Sequence, residues 1–207
     1  GSEDSETPLK AFLSAVQQDA DFPPLSDVKI TNPFNLQQFT GDKASIIDVR
    51  ARDEAGRQYN VEVQVRRHPA FAERTLYYWA KSYSDQLDEG HEYRKLRRVV
   101  GVSVIGFDQF PEAPSPHTCF MLRENRNRDL VLTEDCILHY LEVNKVRSEP
   151  SSQLERWLYY LKNGALEDQT MKVLLDEDRN IREAHERYKR FVQTDETREA
   201  YEARMKF

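Results

Sequence analysis

The stretch "RRVVGVSVIGF" at residues 97–107 constrains this chain more than any other. From Val99 to Ile105 it is almost continuously apolar and β-branched, without the alternation of a strand that shows one side to water. It reads as a buried central strand, and the rest of the chain has to supply what buries it.

The flanking sequence alternates between helical and strand spacing. "PLKAFLSAVQQ" sets Leu9, Phe12, Leu13 and Val16 on one helical face, with Pro8 suited to a first turn, and "DFPPLSD" ends that helix. "VKITNPFN" predicts a short extended segment stopped by Asn32-Pro33. A long helix is expected from about Ala70 to Leu87, stopped near Gly90. Its core face is read as Ala72, Leu76, Trp79, Ala80, Tyr83 and Leu87, and its polar face as Arg74, Tyr78, Lys81 and Asp85. "HTCFMLRE" and "ILHYLEV" predict two more strands joined by the loop "NRNRDLVLTED", whose "LVL" is also able to pair. From Pro150 the pattern is helical, with Ser151 or Ser152 as a cap and a last helix opening near Thr194. The expectation is an α/β core over residues 8–147 and a helical C-terminal extension over 150–207, a possible surface for self-association.

Between the first helix and the second lies "IIDVRARDEAGRQYNVEVQ", two short strands around a turn. Strand alternation puts Ile47, Val49 and Ala51 on one face and Asp48 and Arg50 on the other. On the second strand Asn60, Glu62 and Gln64 oppose Tyr59, Val61 and Val63. Whether the two polar faces coincide depends on the parity of the loop. A three-residue loop, Glu54-Ala55-Gly56 with Gly56 left-handed, pairs Asp53 with Arg57 and so Asp48 with Glu62. A four-residue loop would instead put Asp48 beside Val61. Cβ atoms of a directly opposed pair lie about 4.5–5.5 Å apart. Two carboxylates at that range repel unless a cation lies between them. Asp48, Glu62 and the Val63 carbonyl would form a hard-oxygen half-site suited to Mg²⁺; the competing reading is a solvated polar face.

Composition narrows the classes. The two cysteines, Cys119 and Cys136, form no CxxC pair, which fits a reducing cytoplasm. No apolar run approaches the roughly 20 residues of a membrane span, and no export signal is visible. The net charge of −6 argues against a nucleic-acid partner, but it is unevenly spread. Residues 1–48 carry eight acids against three bases, whereas residues 49–148 carry fifteen acids against sixteen bases. Arg50, Arg52, Arg66 and Arg67 are candidates to grip phosphates or simply to keep the hairpin soluble. The histidines show no metal spacing; His139 alternates within a strand and reads as structural. No serine, threonine or cysteine has a local nucleophile signature.

The Asp48…Glu62-x-Gln64 pattern at a strand end resembles the PD-(D/E)xK nuclease superfamily, and more narrowly its recombination-promoting nuclease and transposase family. "SIIDVRARDEAGRQYNVEVQ" is similar to that family's hairpin, "ERTLYYWAKSYSDQLDEGHEY" to its following helix, and "LRRVVGVSVIGF" to its central strand. "LHYLEVNKV" resembles a strand that usually ends in Glu-Leu-Pro-Lys; Glu142 and Lys145 match it, though a simple surface pair is the other reading. The likeness implies a restriction-endonuclease-like mixed sheet flanked by helices, and a DNA endonuclease dependent on Mg²⁺ or Mn²⁺. It implies that Asp48 and Glu62 bind the ion, and that Gln64 stands where lysine is more usual and orients water. It also implies that Arg74, Tyr78 and Lys81 contact the DNA phosphate, and Arg66 of the hairpin arginines joins them as a phosphate candidate. The family's opening aspartate and Phe-Lys-x-x-Phe-like segment have no match here; Glu3, Glu6 or Asp19 is a candidate substitute, with no geometric reason in the sequence to choose among them. The alternative expectation is a non-catalytic DNA-binding or protein-interaction module that keeps the nuclease fold.

Overall fold

The structure, a computed structural model, describes residues 2–31, 47–88, 90, 92–164, 166 and 168–192. In chain order it contains helix α1 (Ser2–Asp19), strands β1 (Lys29–Ile30), β2 (Ile47–Arg52) and β3 (Gln58–Gln64), and helix α2 (Phe71–Ser84). Strands β4 (Val99–Ile105), β5 (His117–Arg123) and β6 (Val131–Glu142) follow, then helices α3 (Gln153–Asn163), α4 (Gln169–Glu177) and α5 (Arg179–Val192). The last helix expected near Thr194 lies outside the described residues.

β4 is buried along its whole length, as its sequence demands, because it runs between two parallel neighbours under helices on both faces. The strands form one sheet in the order β1-β2-β3-β4-β6-β5. The outer pairs β1–β2, β2–β3 and β5–β6 are antiparallel, so the sheet is mixed. The "LVL" segment does pair: β6 begins at Val131, and the polar loop shrinks to the residues before it.

One face packs Val61, Val100, Val102, Ile137 and Leu141 against Phe12, Leu13 and Val16 of α1 and Leu154, Trp157 and Leu158 of α3. Met171, Leu174 and Ile181 of α4 and α5 join the same cluster. At roughly 25 cal/mol per Å² of apolar surface, this cluster is the chief source of stability. The second face is smaller, with Phe71 of α2 set on Ile105, Cys136, Leu138 and Tyr140. The fold is the expected restriction-endonuclease-like α/β architecture, with the polar side of the hairpin under α2.

The facing of α2 differs from its sequence reading. Phe71 and Thr75 are its buried residues, whereas Leu76 is 51% exposed and Ala80 is also exposed. The helix is rotated because two polar contacts fix it: Trp79 donates its indole N–H to the Val99 carbonyl at 2.9 Å, and Asn60 Nδ2 donates to Ser82 Oγ at 2.9 Å. Hydrophobic spacing alone does not register such contacts.

Candidate active site

The loop of the β2–β3 hairpin has the odd length. Gly56 N–H donates to the Asp53 carbonyl at 3.0 Å, and Asp53 N–H to the Arg57 carbonyl at 3.1 Å. Gly56 is left-handed at φ 78°, where glycine carries no Cβ penalty. The Asp53 carboxylate closes the loop by accepting from Arg57 N at 3.0 Å and Arg57 Nε at 2.5 Å. Tyr59 Oη donates to it at 3.2 Å. Register then follows by counting: Arg52 opposes Gln58, and Asp48 opposes Glu62.

Glu62 sits in a row across the sheet with Ser103 and Tyr140, under the N-terminal half of α2. Arg74, one turn into that helix, reaches down to the row. Its Nη2 forms an ion pair with Glu62 Oε1 and donates to Gln64 Oε1 at 2.8 Å. The guanidinium carbon lies 5.3 Å from the Phe71 ring centroid, and the buried Arg74 Nε has no hydrogen-bond partner among the described residues. Gln64 is fully buried, and its Nε2 donates to the Arg66 carbonyl at 2.9 Å. Glu62, Gln64 and Arg74 thus form one hydrogen-bonded cluster, with Asp48 opposite Glu62 by register. Burial, and secondarily the charges of Glu62 and Glu73, hold the Tyr140 phenol above its ordinary pKa against an opposing hydrogen bond with Thr75. Ser103 and Tyr140 were not singled out from sequence; the signal was the lone polar residue inside the run of β4.

The other phosphate candidates lie around this cluster. Tyr78 and Lys81 are exposed one and two turns beyond Arg74, with Lys81 Nζ 3.4 Å from Asp85 Oδ2. Arg66 is exposed just past the end of β3.

Two expectations are corrected. Glu142 and Lys145 are no surface pair. The Glu142 carboxylate is fully buried and accepts from Gln109 N at 2.6 Å and Phe110 N at 3.1 Å. Lys145 Nζ donates to it at 2.7 Å and to the carbonyls of Phe110 and Ala113 at 2.6 and 2.7 Å. The pair clamps the loop after β4, and the burial of the C-terminal end of β6 makes it so. Nor do Glu6 and Asp19 substitute at the site, because α1 packs on the opposite face of the sheet. Glu6 accepts the Ile30 N–H at 3.2 Å. Asp19 Oδ2 is 2.7 Å from His117 Nδ1; His117 Nε2 is 2.9 Å from His139 Nδ1, and His139 Nε2 is 3.0 Å from Gln17 Nε2. Burial, reinforced by His117, pushes His139 down to about 3. The Glu3 side chain lies outside the described residues.

The donor chemistry fits a hard divalent cation. Glu62 offers a half-buried carboxylate opposite a second acid, and Arg74 is a cation that already neutralises this position. Among the described residues no cluster of three metal-ligating side chains occurs, and no helix is long and apolar enough to cross a membrane. No curated protein and no solved structure matches the chain. The PD-(D/E)XK nuclease family transposase pattern matches residues 1–207, hairpin, α2 and central strand included, and the chain therefore belongs to that family.

Proposed function

We propose that this protein is a divalent-metal-dependent DNA endonuclease that hydrolyses phosphodiester bonds with little sequence preference. The observation that carries this reading is the register that sets Asp48 opposite Glu62 beneath Arg74. Asp48, Glu62 and the Val63 carbonyl would hold Mg²⁺ or Mn²⁺. When bound, the ion would polarise the scissile phosphate and lower the pKa of a water.

The chain's own groups do the remainder. Arg74 leaves Glu62 and Gln64 for the incoming phosphate, a better bidentate partner for a guanidinium. That exchange frees the Glu62 carboxylate and releases the Gln64 carbonyl oxygen to accept a hydrogen bond from the attacking water. Glutamine supplies neither positive charge nor a basic amine, so Gln64 orients water without taking its proton. Lys81 and Arg66 extend the positive surface along the backbone of the DNA. Two unpaired cysteines, Cys119 and Cys136, accord with a reducing cytoplasm as the site of action.

One observation favours a second reading, an inert module that keeps the fold: Arg74 already satisfies both Glu62 and Gln64. Conversion of supercoiled plasmid to open circle in Mg²⁺ separates the two. The endonuclease reading expects nicking that a chelator and Glu62→Ala each abolish. Nicking that survives Glu62→Ala, or none from the parent with Mg²⁺ or Mn²⁺, contradicts it.

A further inference from the structure

The flank of α2 that carries Arg74 continues into an aromatic pair that the described residues leave exposed. Tyr77 and Tyr78 are 64% and 51% exposed, and their rings meet edge to face with centroids 5.4 Å apart. Exposing two neighbouring aromatic rings forgoes the burial such side chains usually find, so the pair asks for a partner. Other aromatics of the same helix are absorbed: Trp79 stacks on Tyr83, and Tyr83 Oη donates to Asp135 at 2.9 Å. Residues three and four apart are neighbours on a helix surface. Tyr77 and Tyr78 therefore follow Arg74 directly, and Lys81 follows them on the same flank.

The charge of the segment names the occupant. Between Arg66 and Asp85 there are four Lys or Arg residues and two acids, Glu73 and Asp85, in a chain of net charge −6. Among the described residues Lys81 is held by an exposed pairing with Asp85, which costs little to give up. Alternation of stacking rings with cations is the surface that binds single-stranded nucleic acid, because unpaired bases present faces to the rings while the backbone meets the charges. A closed duplex hides those faces.

We infer that Tyr77 and Tyr78 are a stacking platform for unpaired bases next to the cut, so that the preferred substrate is DNA with a single-stranded segment there. This rests on the endonuclease reading for the nearby cut but not for the binding itself.

The test is fluorescence anisotropy in EDTA, where no cleavage occurs, with a labelled 20-mer single strand and the duplex of the same sequence. The parent should bind the single strand more tightly. Tyr77→Ala/Tyr78→Ala should weaken that binding about tenfold or more, at the lower end of what stacked bases contribute. Tyr77→Phe/Tyr78→Phe should retain it, since the rings remain. Equal binding of strand and duplex by the parent overturns the platform. So does an alanine pair that binds single strand like the parent, or one that loses duplex binding by the same factor. Because no cleavage is read, failure of the nuclease reading leaves this outcome independent.

Discussion

At the scale of single residues the site depends on one guanidinium shared between a carboxylate and an amide. Arg74 is mostly buried, so its charge and donors need partners inside the protein. Gln64 supplies one of them, and its own amide is tied to the Arg66 carbonyl. Gln64→Ala removes both contacts and leaves one N–H of Nη2 without its acceptor, beside an Nε that has no partner among the described residues. The expected loss is about 1–3 kcal/mol, read as a lower urea midpoint at unchanged slope. The sequence displayed Glu62, Gln64 and Arg74 as residues of interest, but not that they bond to one another. The segment between β3 and α2 decides that, and nothing in its spacing fixes how it folds back. The same blindness misplaced Glu142 and Lys145, whose burial comes from the loop after β4 closing over them.

Among elements, the hairpin was the most legible. Its parity follows from Gly56, because a left-handed residue at that position closes a three-residue loop and the register is then arithmetic. Gly56→Ala has room, since a Cβ there meets the Arg97 side chain no closer than 3.6 Å. The cost is therefore the left-handed backbone alone, about 1–2 kcal/mol. A glycine inserted after Ala55 should do more to the site, shifting register by one and turning Asp48 away from Glu62. A protein that stays folded by circular dichroism and loses divalent-ion binding is the expected outcome. α2 was less legible than the hairpin: its extent was foreseen to within a few residues, but its rotation depends on the Trp79 and Asn60 hydrogen bonds, which follow from tertiary neighbours.

For the whole molecule, the buried run of β4 was enough to foresee a sheet enclosed on both faces. What it left out is the polar chain at the α1 interface, Asp19–His117–His139–Gln17, built from residues up to 122 positions apart. That chain gives stability a pH dependence. The folded pKa of His139, about 3, lies below its ordinary 6.5, so its contribution is complete above pH 6.5 and fades as pH falls toward 3. Within that window the loss is about 1.4 kcal/mol per pH unit, because the unfolded chain takes up a proton that the folded chain excludes. Urea midpoints from pH 7 to pH 4 should fall less steeply for His139→Gln than for the parent. Parallel pH profiles would mean that His139 is protonated without cost in the fold.

In the proposed function Asp48 and Glu62 act together as one cation site across the hairpin. Isothermal titration of Mn²⁺ into the parent, Asp48→Asn, Glu62→Gln and the double variant tests it without reference to cleavage. Saturable binding by the parent is expected, with a loss in each single variant as large as in the double, since two carboxylates of one site are not additive. Saturable binding by the parent that either single variant retains at parental strength would contradict it.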